Sequence, residues 1–132
     1  MVIVIAVISI LISMVFAVKG FQIEARKIAA QSDLRVLRVA LESYYKNYGS
    51  KYPPVRANWE DTLSSTRPAI IDSTLNDPFA VPVSQFGYAL SPNSSYYVIY
   101  SVGPRSNGSA SIVDTGKVTV SNEVIWDSNG TL

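Results

Sequence analysis

The first eighteen residues, Met1 to Val18, carry no Asp, Glu, Lys or Arg, and twelve of them are Val, Ile, Leu or Phe. A helix of that length spans about 27 Å, close to the hydrocarbon thickness of a bilayer. At roughly −0.3 to −0.6 kcal/mol per central apolar residue, twelve of them favour insertion by about 4–7 kcal/mol. Ten of the eighteen are Val or Ile, which favour strands in water. In lipid a lone strand leaves its backbone groups unpaired, so the segment is expected to be helical. A secretory signal peptide needs a basic start and a small-residue cleavage site, and no Lys or Arg precedes this run. A plain single-span anchor is a second possibility. Burial as a core helix is disfavoured, because only 114 residues (132 less 18) remain to wrap it.

Ala6, Ser9, Ser13, Ala17 and Gly20 recur at spacings of three and four, so they line one helix face. Such a stripe of small side chains lets helix backbones approach closely in an apolar medium, and it is read here as a helix-packing face. Lys19, Arg26 and Lys27 follow the span. By the positive-inside rule alone they would hold the C-terminal part in the cytoplasm.

Phe21 to Tyr48 has the pattern of an amphipathic helix. Leu34, Leu37, Leu41, Tyr44 and Tyr48 fall at intervals of three and four, an apolar stripe expected to pack on a head. No Pro occurs before Pro53, and Gly49 stands where a helix C-terminal cap is expected. One helix of about 48 residues, roughly 70 Å long, is therefore predicted. Three parts follow: an apolar helix (1–20), a helical stalk continuing it (21–49) and a globular head (50–132). Between Lys19 and Lys46 the stalk has six basic and three acidic residues, net +3, against −2 for the rest.

The chain has no Cys and no His, and its 11 Lys+Arg nearly balance 10 Asp+Glu. Thiolate metal sites, disulfides and Ser-His or Cys-His catalysis are thereby excluded within the chain, and no overall field points to nucleic acid. No Gly-rich phosphate loop is present. These absences leave a Ser-Lys or carboxylate enzyme open, but a carboxylate pair such as Asp72 and Asp77 has no supporting spacing, so the chain is not expected to be an enzyme.

In the head, Trp59, Leu63, Ile70, Ile71 and Leu75 are candidate core residues, with a short helix near Asn58 to Ser65 and Asn58 as its N-cap. Phe86, Tyr88 and Leu90 alternate within Gln85 to Ser91, Ser91-Pro92-Asn93-Ser94 has turn chemistry, and Ser95 to Gly103 is the strongest strand. A polar loop over 103–110 and short strands at Ser111–Asp114, Lys117–Ser121 and Glu123–Asp127 complete the expectation. The class is α+β: one long helix laid on a small antiparallel sheet. Asn93, Asn107 and Asn129 begin Asn-x-Ser/Thr sequons, read mainly as turn residues, with glycosylation left open.

Ile-Ala-Val-Ile-Ser-Ile-Leu at 5–11, Ala29-Ala30-Gln31-Ser32-Asp33-Leu34, Ala40-Leu41-Glu42-Ser43-Tyr44 and Lys51-Tyr52-Pro53 follow one another along the helix and its exit. Asp77-Pro78-Phe79, Tyr100-Ser101-Val102-Gly103-Pro104 and Val120-Ser121-Asn122-Glu123-Val124-Ile125-Trp126 follow in the head. In this order the segments resemble type IV pilins and the pseudopilins of type II secretion, closest to the major, G-type pseudopilin. The resemblance covers nearly the whole chain. It implies the pilin fold and a subunit held in the inner membrane with its head exported, then drawn into a helical homopolymer. The filament would be a cell-surface fimbrium or a periplasm-spanning pseudopilus, built with assembly machinery and minor subunits.

Three departures bear on what the resemblance implies. The family's basic leader, Gly-Phe cleavage point and following Glu are expected before the apolar run, on which the sequence opens, so a start assigned late, a truncated chain or assembly without that Glu is expected; Lys19-Gly20-Phe21 follows the run and is not read as the cleavage motif. Arg105 stands where G-type pseudopilins place a calcium-binding Asp, leaving Asp114 and Glu123 as weak calcium candidates; no other cofactor is expected. No Pro interrupts Val15 to Gly20, so a more continuous helix than the family's is expected in the assembled state. The alternative to a filament subunit is a single-span membrane-anchored binding or sensor protein, with Tyr88, Tyr96, Tyr97 and Tyr100 as a recognition face on an exported head.

Overall fold

Helix α1 runs unbroken from Val2 to Asn47 in the computed structural model, which describes residues 1–130, the side chains of residues 16–20 excepted. At 1.5 Å per residue it is about 70 Å long. Its end is set by Gly49, whose φ of +74° suits a residue without Cβ. The Ser50 N–H then reaches back to the Tyr45 carbonyl at 3.0 Å, the long hydrogen bond of a Schellman closure.

A short helix α2 (Glu60–Ser64) and strands β1 (Gly87–Leu90), β2 (Tyr97–Ser101), β3 (Ser109–Ile112), β4 (Val118–Ser121) and β5 (Ile125–Ser128) follow. All pairings are antiparallel. The expected single sheet is two sheets, ordered β1-β2-β5 and β3-β4. Strand β3 begins at Ser109, inside the stretch expected to be loop.

The three-stranded sheet is covered on both faces, which explains why its central strand is apolar almost throughout. Tyr97 and Ile99 of β2 join Leu34, Leu37 and Leu41 of α1 in the main core, with Trp59, Leu63, Phe86 and Tyr88. Val98, between them, points the other way and packs with Ala110 and Ile112 of β3. A strand with one wet face would alternate; this one is dry on both sides.

The helix stripe is corrected at its end and enriched in its middle. Leu34, Leu37 and Leu41 are buried, Tyr44 packs at the margin of the core, and Tyr48 is 39% exposed. Tyr48 stacks on Tyr44, ring centroids 4.7 Å apart. Ala30 and Ala40, outside the predicted stripe, are buried in the same core.

Asn58 is not the N-cap of α2. That position belongs to Trp59, with no side-chain cap of its own. The side chain of Gln85, 25 residues on, supplies what is missing: its Oε1 accepts from the Glu60 N–H at 3.0 Å, and its Nε2 donates to Asp61 at 2.9 Å. Trp59 itself is buried, stacks on Tyr88 at 4.5 Å and donates its indole N–H to the Phe86 carbonyl at 2.7 Å.

Candidate functional site

Every large apolar side chain from Met1 to Val15 is at least 50% exposed, with Val2 at 81% and Ile3 at 79%. The head takes hold of the helix only from Ala30 onward. The protein thus holds out a rod of branched aliphatic side chains with none of its own structure covering it, far more contiguous apolar surface than a soluble monomer tolerates.

The small-residue stripe lies on this rod. Ala6, Ser9 and Ser13 are all exposed, and Ser9 and Ser13 line a shallow concavity with Ile10 and Met14. Both hydroxyls are satisfied inside the helix: Ser9 Oγ donates to the Ile5 carbonyl and Ser13 Oγ to the Ser9 carbonyl, each at 2.9 Å. The stripe therefore offers a dent without unpaired donors, a surface a second helix can approach closely. The remaining stripe positions, Ala17 and Gly20, lie outside the described residues. Among the described residues no helix is long and apolar enough to cross a membrane. The run from Met1 to Val18 is described through Val15.

In the head, two sequence segments singled out separately meet at one carboxylate. Asp77 is buried, and its Oδ1 accepts from the Phe79 N–H at 3.0 Å and the Ser101 hydroxyl at 2.6 Å. Its Oδ2 accepts from the Val102 N–H at 2.7 Å. The Asp-Pro-Phe step is thereby stapled to the end of β2. Asp77 is engaged by these three donors, and Asp72 is exposed.

Glu60 is a second buried carboxyl. Its Oε2 accepts from the Leu75 N–H at 2.6 Å, while Oε1 has no hydrogen-bond partner. Burial pushes this carboxyl up to about 7, and the nearby Asp33 and Asp61 add to the rise while backbone hydrogen bonding opposes it. Burial raises Asp33 as well.

The calcium candidates are separated. Asp114 follows the Ile112↔Val118 end of the β3–β4 hairpin and Glu123 follows its Ser109↔Ser121 end, so the two stand at opposite ends of a four-residue ladder. Asp114 is already used, accepting from the Asn93 N–H at 2.8 Å. Among the described residues no group of three acidic side chains is close enough to hold a metal ion.

The tyrosine face considered for a binding protein is not exposed. Tyr88 and Tyr97 are buried under α1, with hydroxyls donating to the Pro53 carbonyl at 2.8 Å and Glu42 at 3.3 Å. Tyr96 and Tyr100 are half-buried on the opposite face, beneath the β3–β4 hairpin. Of the three sequons, Asn129 is woven into the fold: its Oδ1 accepts from the Tyr97 N–H at 2.7 Å and its Nδ2 donates to Tyr52 and the Ser95 carbonyl. Asn93 is exposed in the β1–β2 turn, and Asn107 is exposed just before β3.

Gln85 and Asp77 as structural keystones were not anticipated. Only the Asp-Pro-aromatic step hinted at the second. No family model, no curated protein and no solved structure matches the chain.

Proposed function

We propose that this chain is a structural subunit of a helical filament of the type IV pilus or type II pseudopilus kind, with the pilin fold, assembled through its N-terminal helix. One observation carries the proposal: an uninterrupted helix that is buried by its own head over one half and bare and apolar over the other. A bare aliphatic rod in water aggregates; covered by lipid before assembly and by sister helices after it, it exchanges one apolar environment for another at little cost. Heads joined rigidly to such rods would form an outer wall around a central helical bundle. Neither a catalytic constellation nor a metal site enters this scheme.

Full-length protein transferred slowly out of detergent is expected to give fibres of uniform diameter by electron microscopy. Protein that stays monomeric under those conditions, with no fibres on cells producing it, would refute the proposal. Translation of the DNA upstream of Met1 gives an independent test. A basic leader ending in Gly-Phe and followed by Glu agrees with a pilin, whereas an in-frame stop favours a simple membrane-anchored protein. Microscopy of sheared cells then separates a long surface pilus from a short secretion pseudopilus.

A further inference from the structure

Half of the eight tyrosines fall within nine residues, Tyr44, Tyr45, Tyr48 and Tyr52, and all four line one groove at the head end of α1, opposite the Met1 end. Its volume is about 720 Å³, in the size range of small-molecule sites. The other wall is the β1–β2 turn, with Asn93, Ser94 and Ser95 exposed along it. The walls are held by ring contacts and hydrogen bonds. Tyr45 and Tyr52 pack ring to ring at 4.7 Å, and the Tyr52 hydroxyl accepts from Asn129 at 3.0 Å. Asn93 Oδ1 accepts from the Ser91 hydroxyl and the Ser95 N–H, which fixes the rim. Two of the four non-glycine residues with positive φ, Ser50 and Ser94, lie in these walls.

We infer that this groove is a binding site for an oligosaccharide of about two or three linked rings. Tyrosine rings offer flat apolar area at low entropic cost, matching the C–H faces of a pyranose. The serine and asparagine rim supplies both donors and acceptors for sugar hydroxyls. Single-stranded nucleic acid would also stack on tyrosines, but it needs several cations for its phosphates, and Lys51 is the one charged side chain lining the groove among the described residues. The site lies between the C-terminal end of α1 and the β1–β2 turn and uses no residue of the apolar rod.

The test uses the full chain in sugar-free zwitterionic micelles, with saturation-transfer NMR on chitotriose, cellotriose, maltotriose and sialyllactose, and a short oligothymidylate as the competing class. At least one oligosaccharide is expected to bind, and Tyr45→Ala and Tyr48→Ala to weaken it about tenfold or more. Ser95→Trp, which fills the groove from its exposed rim and leaves the ring cluster in place, is expected to block binding. Val83→Ser, at a side chain 75% exposed elsewhere on the head, is expected to change nothing. The inference is overturned if no oligosaccharide binds, if only the oligothymidylate binds, or if Ser95→Trp and Tyr48→Ala bind as the parent does.

Discussion

Glu60 gives the head a pH dependence whose direction is fixed by its burial. Its carboxyl titrates near 7 in the folded protein against an ordinary value of 4.5. Between those values the folded state keeps a proton that the unfolded state has released, so stability falls as pH rises through that window. The full span corresponds to a loss on the order of 3 kcal/mol. Glu60→Gln, which removes the charge and retains an oxygen for the Leu75 N–H, is expected to flatten this decline and to be more stable than the parent at pH 8. Urea denaturation at pH 5 and pH 8 reads both effects. Asp77, the other buried carboxyl, is held by three donors. Asp77→Ala strands the Ser101 hydroxyl and the Phe79 and Val102 amides, and is expected to cost about 3 kcal/mol or more, measured as a lowered denaturation midpoint at unchanged slope.

Among the elements, the long helix and the sheet depend on each other. Leu37 is fully buried at the contact between them, and Leu37→Ala is expected to destabilise by about 2–5 kcal/mol. Within the sheet, Gly87 lies opposite Tyr100, and a Cβ added there would sit 2.2 Å from the tyrosine ring. The ring of Tyr100 occupies the space a side chain would take, so Gly87→Val must displace it and uncover the second core, at a cost of about 1–3 kcal/mol. Thermal unfolding monitored by near-ultraviolet circular dichroism checks both. The Arg38–Asp127 ion pair between helix and sheet, at 3.0 Å, is half-exposed at Arg38 and contributes little by comparison.

At the scale of the whole molecule, head and rod are separable in their effects. Ser9→Leu with Ser13→Leu fills the dent on the rod without touching the head, which begins its grip at Ala30. The doubly substituted protein is expected to keep the parent's head stability and to lose fibres in microscopy, since bulky side chains at the stripe hold neighbouring helices apart. The charge division between stalk and remainder, +3 against −2, makes a second whole-molecule expectation. If stalks face the acidic parts of neighbouring heads, assembly weakens as salt rises to roughly 1 M, where screening falls to about 3 Å. Light scattering during assembly across a salt series measures it, and salt-indifferent assembly counts against such contacts.

Continuity of α1, its stop at Gly49, the α+β class and the approximate positions of all five strands were legible in the sequence. Each depends on side chains within a few residues of one another, through helical or alternating periodicity, turn chemistry and the freedom of glycine. The apolar rod was legible for the same reason, since eighteen uncharged residues need no distant partner to be recognised. What required the tertiary structure was every choice made between distant segments: two sheets instead of one, Gln85 capping a helix 25 residues away, and Asp77 stapled to Ser101. The exposure of Tyr48, the burial of Tyr88 and Tyr97, and the separation of Asp114 from Glu123 belong with them. Periodicity tells which side of an element is apolar, but only packing decides what that side meets and which polar groups close against each other.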